Sequence, residues 1–338
     1  MDKDCCSFIK PTIGDVPVVS TKLKAIDWLG SARARCGINR SSYRVNPGLY
    51  CVGQPDSGSP VLVTANYKLT FDSLRKELSA LSAWILVLDT KGVNVWCAAG
   101  KGTFGTDELV YRIEISGLKD FVSHRRLILP QLGAPGICAH EVLQRSGFKV
   151  IYGPVRAKDV LAFIGHDMTK TREMATVNFS LVDRLILTPA ELSYVSKFIF
   201  IFIGIALVLW LIGVETFLFG GVMPYIGAVL VGNFVVPALL PWIPGAAFSF
   251  KGWLTGVVFS VILFFAQGES WQLLLTYLLI LPPISSYIAM NFTGSSTYTS
   301  LAGVQKETEM ALPIILSSLI AGVLFTAIRI LLYYQGGA

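Results

Sequence analysis

Cys97 is the one soft metal ligand in a stretch otherwise made of small and apolar residues, Asn94-Val95-Trp96-Cys97-Ala98-Ala99-Gly100-Lys101. A thiolate there would suit a soft or borderline metal ion. The plain reading of a lone cysteine, a small buried hydrophobe, stands beside that one. The other five cysteines, Cys5, Cys6, Cys36, Cys51 and Cys138, show no CxxC and no paired spacing, which argues against zinc, an iron–sulfur cluster or a disulfide framework. His124, His140 and His166 share no spacing and read as solvated or core histidines. Lys101 would either meet phosphate or amide groups of a ligand or face solvent. Gly100, Gly102 and Gly105 reproduce GxGxxG, but no acidic residue stands on a strand about twenty residues on, and a Trp-Cys pair precedes the motif. A dinucleotide site is therefore disfavoured.

These residues need a frame, and the pattern around them supplies one. Apolar runs at 61–63 (ending at Thr64), 84–88 (ending at Asp89), 127–129 and 150–152 read as strands. Helical spacing at 71–80, 106–115, 137–145 and 157–163 alternates with them. Such alternation predicts a Rossmann-like α/β fold with a parallel sheet, whose ligands sit at the carboxyl ends of the strands. The segments at those ends are rich in Gly, Ala and Pro. Thr64 closes the first strand. Asn94, Val95, Trp96, Cys97, Ala98, Ala99, Gly100, Lys101, Gly102 and Thr103 follow the second. Gln131, Leu132, Gly133, Ala134, Pro135 and Gly136 follow the third, and Gly153, Pro154 and Val155 the fourth. Small residues let backbone approach a large flat ligand closely, so three such loops together point to a cofactor cradle. Residues 1–54 carry no motif and are expected to pack on the sheet as an N-terminal extension, with the α/β domain at 55–190.

Composition sets the second half apart. The chain is 53% hydrophobic and 15% charged, and 24 of its 28 basic and 17 of its 22 acidic residues precede residue 191. Apolar runs at 195–214, 217–240, 252–268, 271–290 and 312–332 read as five membrane spans, the second and fourth interrupted by proline. Residues 191–338 thus form an all-α transmembrane bundle. The segment 1–10 is polar and lacks the apolar run of a secretory signal. With Lys197, Lys251 and Lys306 on the same side as the basic first domain, the positive-inside rule puts that domain in the cytoplasm. The mild basic surplus reads as a solvated surface or an attraction to membrane lipid; nothing interleaves it with aromatics as a nucleic-acid binder would. The hydroxyl-rich loop 291–310 falls on the cytoplasmic face, either as a solvated turn or as a docking element. Polar groups that would mark a transporter are nearly absent from the spans.

The blocks NVWCAAGK, GTFGT, LILPQLGAPGICAHEV and GFKVIYGPVRAKD, in that order over residues 55–165, resemble the corrinoid-binding domain shared by the large subunit of the corrinoid iron-sulfur protein and by the mercury-methylating HgcA family. NFTGSSTYTS also looks like a segment of these relatives. The chain lacks the cluster motif and barrel of the iron-sulfur subunit and carries hydrophobic spans instead, an arrangement similar to HgcA. The resemblance implies a base-off, cobalamin-type corrinoid held by the strand-end residues named above, with Cys97 as the lower axial ligand to cobalt on a short capping helix. A thiolate in that place donates electrons strongly and would weaken the methyl–cobalt bond on the opposite face, favouring transfer to Hg(II). The implied activity is a corrinoid-dependent methyltransferase that forms methylmercury in a bacterial or archaeal cytoplasmic membrane. A ferredoxin-like HgcB would donate electrons, and methyl-tetrahydrofolate, through a methyltransferase, would supply the methyl group. The alternative implied is a membrane-anchored methyl carrier in acetyl-CoA one-carbon metabolism.

Overall fold

Continuous β-branched and leucine-rich runs cannot leave either face wet, and the two longest of them become fully buried strands. In the computed structural model, which describes residues 16–211, 222–267, 270–292 and 301–336, these are β2 (Val61–Ala65) and β3 (Ala83–Leu88). They pair in parallel, Val61 opposite Trp84 through Ala65 opposite Leu88. Two shorter strands, β4 (Arg126–Leu129) and β5 (Lys149–Tyr152), extend the parallel array on the β2 side. The sheet has five strands, because β1 (Gly48–Val52) adds to β3 antiparallel, giving the order β1-β3-β2-β4-β5. The expected parallel sheet is thus extended by one antiparallel edge strand, which comes from the first 54 residues, where the sequence shows no motif. The chain before β2 also holds the helix α1 (Ala25–Arg35). The strand GLYCV mixes glycine, tyrosine and cysteine with only two aliphatic residues, so it does not stand out as an apolar run, and its pairing partner lies about thirty-five residues away.

Helices cover both faces. On one lie α3 (Val95–Gly100), α4 (Thr106–Ile115), α5 (Leu118–Phe121) and α6 (Ala139–Ser146), packed with Val63, Ala65, Leu86 and Leu88. On the other lie α2 (Lys68–Arg75) and α7 (Val160–Gly165), packed with Leu62, Ile85, Val87 and Ile128. The chain divides into two compact units. The first takes residues up to 34 and 38–177, including α8 (Arg172–Ala175), and the second takes 35–37 and 178–338. The expected domain boundary at 190 thus falls inside the second unit.

That second unit is helical: α9 (Leu181–Leu185), α10 (Thr188–Leu211), α11 (Met223–Leu230), α12 (Val236–Leu239), α13 (Phe248–Gln267), α14 (Trp271–Met290) and α15 (Leu301–Gly336). Among the described residues three helical stretches are long and apolar enough to cross a membrane: Phe248–Gln267, Trp271–Met290 and Gly303–Arg329. The first expected span begins within α10, and its last three residues, 212–214, lie outside the described residues. Of the second expected span, residues 217–221 lie outside the described residues; the rest is helical over Met223–Leu239, interrupted by a π-helical turn at Val231–Val235 between α11 and α12. A proline stands at this interruption: Pro237 has no N–H for the Asn233 carbonyl, which accepts instead from Thr188 Oγ1 at 3.2 Å. In α14, Pro283 likewise frees the Leu279 carbonyl, which accepts from Ser318 Oγ at 2.8 Å. Gly252 and Gly256, four residues apart, let α13 lie against α14; a Cβ on Gly256 would stand 2.5 Å from Pro282 Cα. The polar loop expected at 291–310 is corrected in part, since residues from Leu301 onward are helical; 293–300 lie outside the described residues, as do residues 1–15 with Cys5 and Cys6.

Within the α/β unit, α1 is fastened to α2 by buried charge. Asp27 accepts from Lys68 Nζ at 2.7 Å and Arg75 Nη2 at 2.9 Å, and Asp72 binds the same two cations at 2.7 Å each. All four residues are buried. Burial opposes the Asp27 charge, but the bonds from Lys68, the Lys24 backbone N–H and Arg75 outweigh it and hold this carboxyl well below the usual carboxylate range. Because the folded-state value is depressed, its stabilisation is fully present above the unfolded value of about 3.9 and is lost as pH falls below it. Asp27→Asn, which leaves two buried cations with one carboxylate, is expected to cost about 3–5 kcal/mol at neutral pH. Denaturant unfolding of wild type and variant at neutral pH and below about pH 4 checks both statements, the gap between them narrowing in acid.

Candidate functional site

Parallel pairing brings the carboxyl ends of β3, β2, β4 and β5 to one edge, and that edge holds most of the residues singled out from the sequence. After β3 the chain turns through Asp89–Val93 and enters α3. Asn94 stands at its N-terminus in extended conformation, and its Oδ1 accepts the Cys97 N–H at 2.9 Å. Val95, Ala98 and Ala99 point into the core. Trp96 and Cys97 are half-buried, and the Cys97 thiol is free. Beyond the helix, Gly102 takes a left-handed φ of 79°, and the Thr103 and Phe104 N–H groups turn back onto the Ala98 carbonyl at 3.0 and 3.1 Å.

The turn leading into this helix is held by a residue that sequence reasoning missed. Asn66, one position past β2 and 1% exposed, accepts at Oδ1 from the Thr90 N–H (3.1 Å) and the Gly92 N–H (3.0 Å), and donates through Nδ2 to Asp89 Oδ1 (3.0 Å). Thr90 Oγ1, itself fully buried, stands 2.8 Å from that oxygen and 2.6 Å from the Val93 carbonyl. Glu108 adds a bond from the Asp89 N–H at 2.8 Å. The legible signal was a polar residue directly after an apolar run, at the strand end where such groups reach the neighbouring loop.

Gln131–Gly136 forms a 3-10 turn after β4 and packs directly on α3. Its glycines serve that packing. A Cβ on Gly136 would stand 2.2 Å from the Phe104 carbonyl oxygen and 3.0 Å from Ala99 Cα, one on Gly133 2.5 Å from the Phe104 ring, and one on Gly105 2.6 Å from the Gly102 oxygen. Gly133 and Gly136 thus meet protein on the side where a Cβ would point. Gly100 and Gly102 differ: nothing lies within 4 Å of an added Cβ, and both are exposed, as are Lys101 and Pro135. Leu132 packs on the core and Ala134 is half-buried. Pro154 and Gly153 are buried, with the Gly153 N–H on the Leu129 carbonyl (2.7 Å) and the Gln131 N–H on the Pro154 carbonyl (3.4 Å). Val155 donates to the Met174 carbonyl at 2.8 Å. Lys170, also missed, bonds Gln131 Oε1, and burial pushes its pKa down.

Thr64 is not part of this grouping. It lies inside β2, 2% exposed, and alternation puts its side chain on the Leu62 face, whereas Val63 and Ala65 share the α3 face. The three histidines also bond elsewhere, to the Ser59 carbonyl, to Gln144 and to the Ala162 carbonyl. Among the described residues no group of three or more His, Cys, Asp or Glu side chains comes together. What remains at the edge is one half-exposed sulfur on a capped, rigidly seated helix turn, beside an open patch of Gly100, Lys101 and Gly102.

Residues 37–164, which include every residue of this edge from Asn66 to Val155, match the family described as CO dehydrogenase/acetyl-CoA synthase delta subunit. Similar curated proteins are acetyl-CoA decarbonylase/synthase complex gamma subunits. That of Methanocaldococcus jannaschii is 32% identical over 133 residues, 39% of this chain and 27% of the relative. That of Methanopyrus kandleri is 33% identical over 127 residues, 37% of this chain and 27% of the relative. The Archaeoglobus fulgidus protein is 32% identical over 118 residues, 34% and 25% respectively. The chain spans about a quarter of the length of the curated relatives it matches.

The packing role of the glycines gives a paired prediction. Gly136→Ala, whose methyl group meets backbone that cannot turn away, is expected to destabilise the unit by about 1–3 kcal/mol and to expose the Cys97 thiol. Gly100→Ala, with open space and an α-helical backbone, should stay within about 0.5 kcal/mol of wild type. Unfolding midpoints and the rate of Cys97 alkylation measure both.

Proposed function

We propose that the α/β unit holds a corrinoid at the carboxyl edge of its sheet and serves as a methyl-group carrier, with Cys97 as the protein's ligand to cobalt. The observation that carries this is the setting of Cys97: half-buried, on a helix turn capped by Asn94 and followed by the open Gly100 and Gly102, within the segment that resembles the corrinoid-binding domain in sequence and matches the CO dehydrogenase/acetyl-CoA synthase delta subunit family. Among the described residues no group of three or more His, Cys, Asp or Glu side chains forms a metal cage here. A metal held here must therefore bring most of its ligands with it, as a macrocycle-bound cobalt does. A corrinoid, when bound, supplies a cobalt centre that accepts a methyl group and releases it to an acceptor.

The chain's own residues do the rest. Cys97 presents its sulfur and releases its proton to solvent when it binds a metal. Asn94 fixes the helix that carries it, and Asn66 fixes the turn that carries the helix. Gly100 and Gly102 keep the surface beside the sulfur clear, and Lys101 offers a cation to amide or phosphate groups at the rim. Gln131, Ala134 and Pro135 lie in the 3-10 turn that packs on the same helix. Thr64 takes no direct part in this reading.

Two acceptors fit. The relatives, named for the acetyl-CoA decarbonylase/synthase complex, support a carrier in acetyl-CoA one-carbon metabolism, docking on partners of that kind. The thiolate ligand and the NVWCAAGK block support transfer to Hg(II), a soft ion, with a ferredoxin-like HgcB restoring the reduced carrier and a methyl-tetrahydrofolate-dependent methyltransferase recharging it. In both readings the apolar helices set the chain in a bacterial or archaeal cytoplasmic membrane, supported by their length and by the concentration of basic residues before residue 191.

The full chain, produced with a corrinoid supply, should copurify with cobalt and show a corrinoid absorption spectrum that shifts in Cys97→Ala. A folded but cobalt-free, colourless protein overturns the reading. Charged with a methyl group, it is then offered Hg(II) or an acetyl-CoA synthase in separate assays. Methylmercury formation selects the mercury reading and acetyl transfer the other, and Cys97→Ala should slow the productive assay at least about tenfold, about 1.4 kcal/mol.

A further inference from the structure

The outward face of α1 is apolar where a helix on a soluble unit should be polar. Trp28 and Leu29 are each 61% exposed, Ile26 53% and the nearby Ile38 48%. The opposite face is fixed: Asp27 and Ala34 are buried, Asp27 in the ion-pair cluster with Lys68 and Arg75, and Gly30 lies so close to Tyr43 that a Cβ would stand 2.6 Å from its hydroxyl. The helix cannot roll to hide its apolar side. Around it the charge is of one sign. Between residues 16 and 47 the basic residues include Lys22, Arg33, Arg40 and Arg44, and the single acid is Asp27, buried in its ion pairs.

We infer that α1 is an interfacial anchor that lies on an anionic lipid surface. An apolar strip carrying a tryptophan and rimmed by basic side chains is the composition that enters the headgroup–acyl boundary, with Lys and Arg meeting lipid phosphates. The same chain carries helices long and apolar enough to cross a bilayer, so this surface is chemically at hand. Eleven residues would bind lipid weakly if free in solution. Tethering raises the effective concentration and makes a weak contact sufficient. A protein partner matching this face would need an acidic rim around an apolar groove, and it is the outcome that the test separates.

The full chain is reconstituted in vesicles whose acyl chains carry bromine, either phosphatidylcholine alone or mixed with phosphatidylglycerol. The fluorescence of Trp28 is isolated as the difference between wild type and Trp28→Phe, a substitution at an exposed ring that leaves the fold alone. In phosphatidylglycerol vesicles this component should be quenched at least about twofold, and paired Lys22→Glu and Arg33→Glu substitutions, or high salt, should relieve most of it. Absence of quenching by brominated lipid at either composition overturns the inference. So does a Trp28 component shielded from aqueous acrylamide yet untouched by brominated lipid, which reveals a protein surface over the helix. Quenching equal in both vesicle types and indifferent to charge reversal overturns the anionic headgroup as the ligand.

Discussion

Everything at the functional edge depends on one constraint, the parallel pairing of β3, β2, β4 and β5. Parallel strands must all finish on the same side, so four loops that are far apart in sequence are delivered to one rim. The hydrogen-bonding needs of those loops are then met across strands rather than within them. Asn66, at the end of one strand, satisfies backbone groups in the turn after the next, and Gly136, after a third, surrenders its side chain so that its backbone can lie on Ala99. Cys97 is thus held by contacts from three strand ends, while its own helix contributes only a single turn and a half of hydrogen bonds and the Asn94 cap.

The pairing of buried polar groups also shapes much of the rest of the molecule. In the α/β unit it appears as the cluster of Asp27, Asp72, Lys68 and Arg75, whose worth lies less in net stability than in fixing how α1 sits on α2. Among the apolar helices it appears at the prolines. Two of them remove a backbone donor in a place where water is scarce, and a hydroxyl from another helix replaces it: Thr188 for Pro237, Ser318 for Pro283. Arg184 and Lys251 serve the end of α12 and the chain after it in the same way. The guanidinium donates to the Pro237 and Ala238 carbonyls at 2.8 and 2.7 Å, and the ammonium to the Leu240 carbonyl at 2.9 Å and to that of Ile243. These basic groups act as structural donors at helix ends.

Glycine illustrates how one residue type takes opposite roles along a single rim. Gly100 and Gly102 face open space and leave the surface near the sulfur clear. Gly105, Gly133 and Gly136 face other backbone or an aromatic ring and are filled by protein. Composition counts all five alike, because a missing side chain carries no label for what takes its place.

What the sequence determined by itself is what local pattern and composition encode. Apolar runs of three to five residues between helical periods specified β2 to β5 and the α/β class, and the block NVWCAAGK singled out Cys97. The charge-poor second half specified long apolar helices. What only the tertiary structure decided depends on residues far apart in the chain. The antiparallel edge strand β1 owes its existence to β3. Asn66 acquires a role only when its strand lies beside the next, and Thr64 turns away from α3 because register fixes which face each strand residue takes. The physical reason is common to all three: period and propensity are properties of neighbours along the chain, whereas pairing, facing and close approach are settled by whichever distant backbone comes to lie within hydrogen-bonding distance.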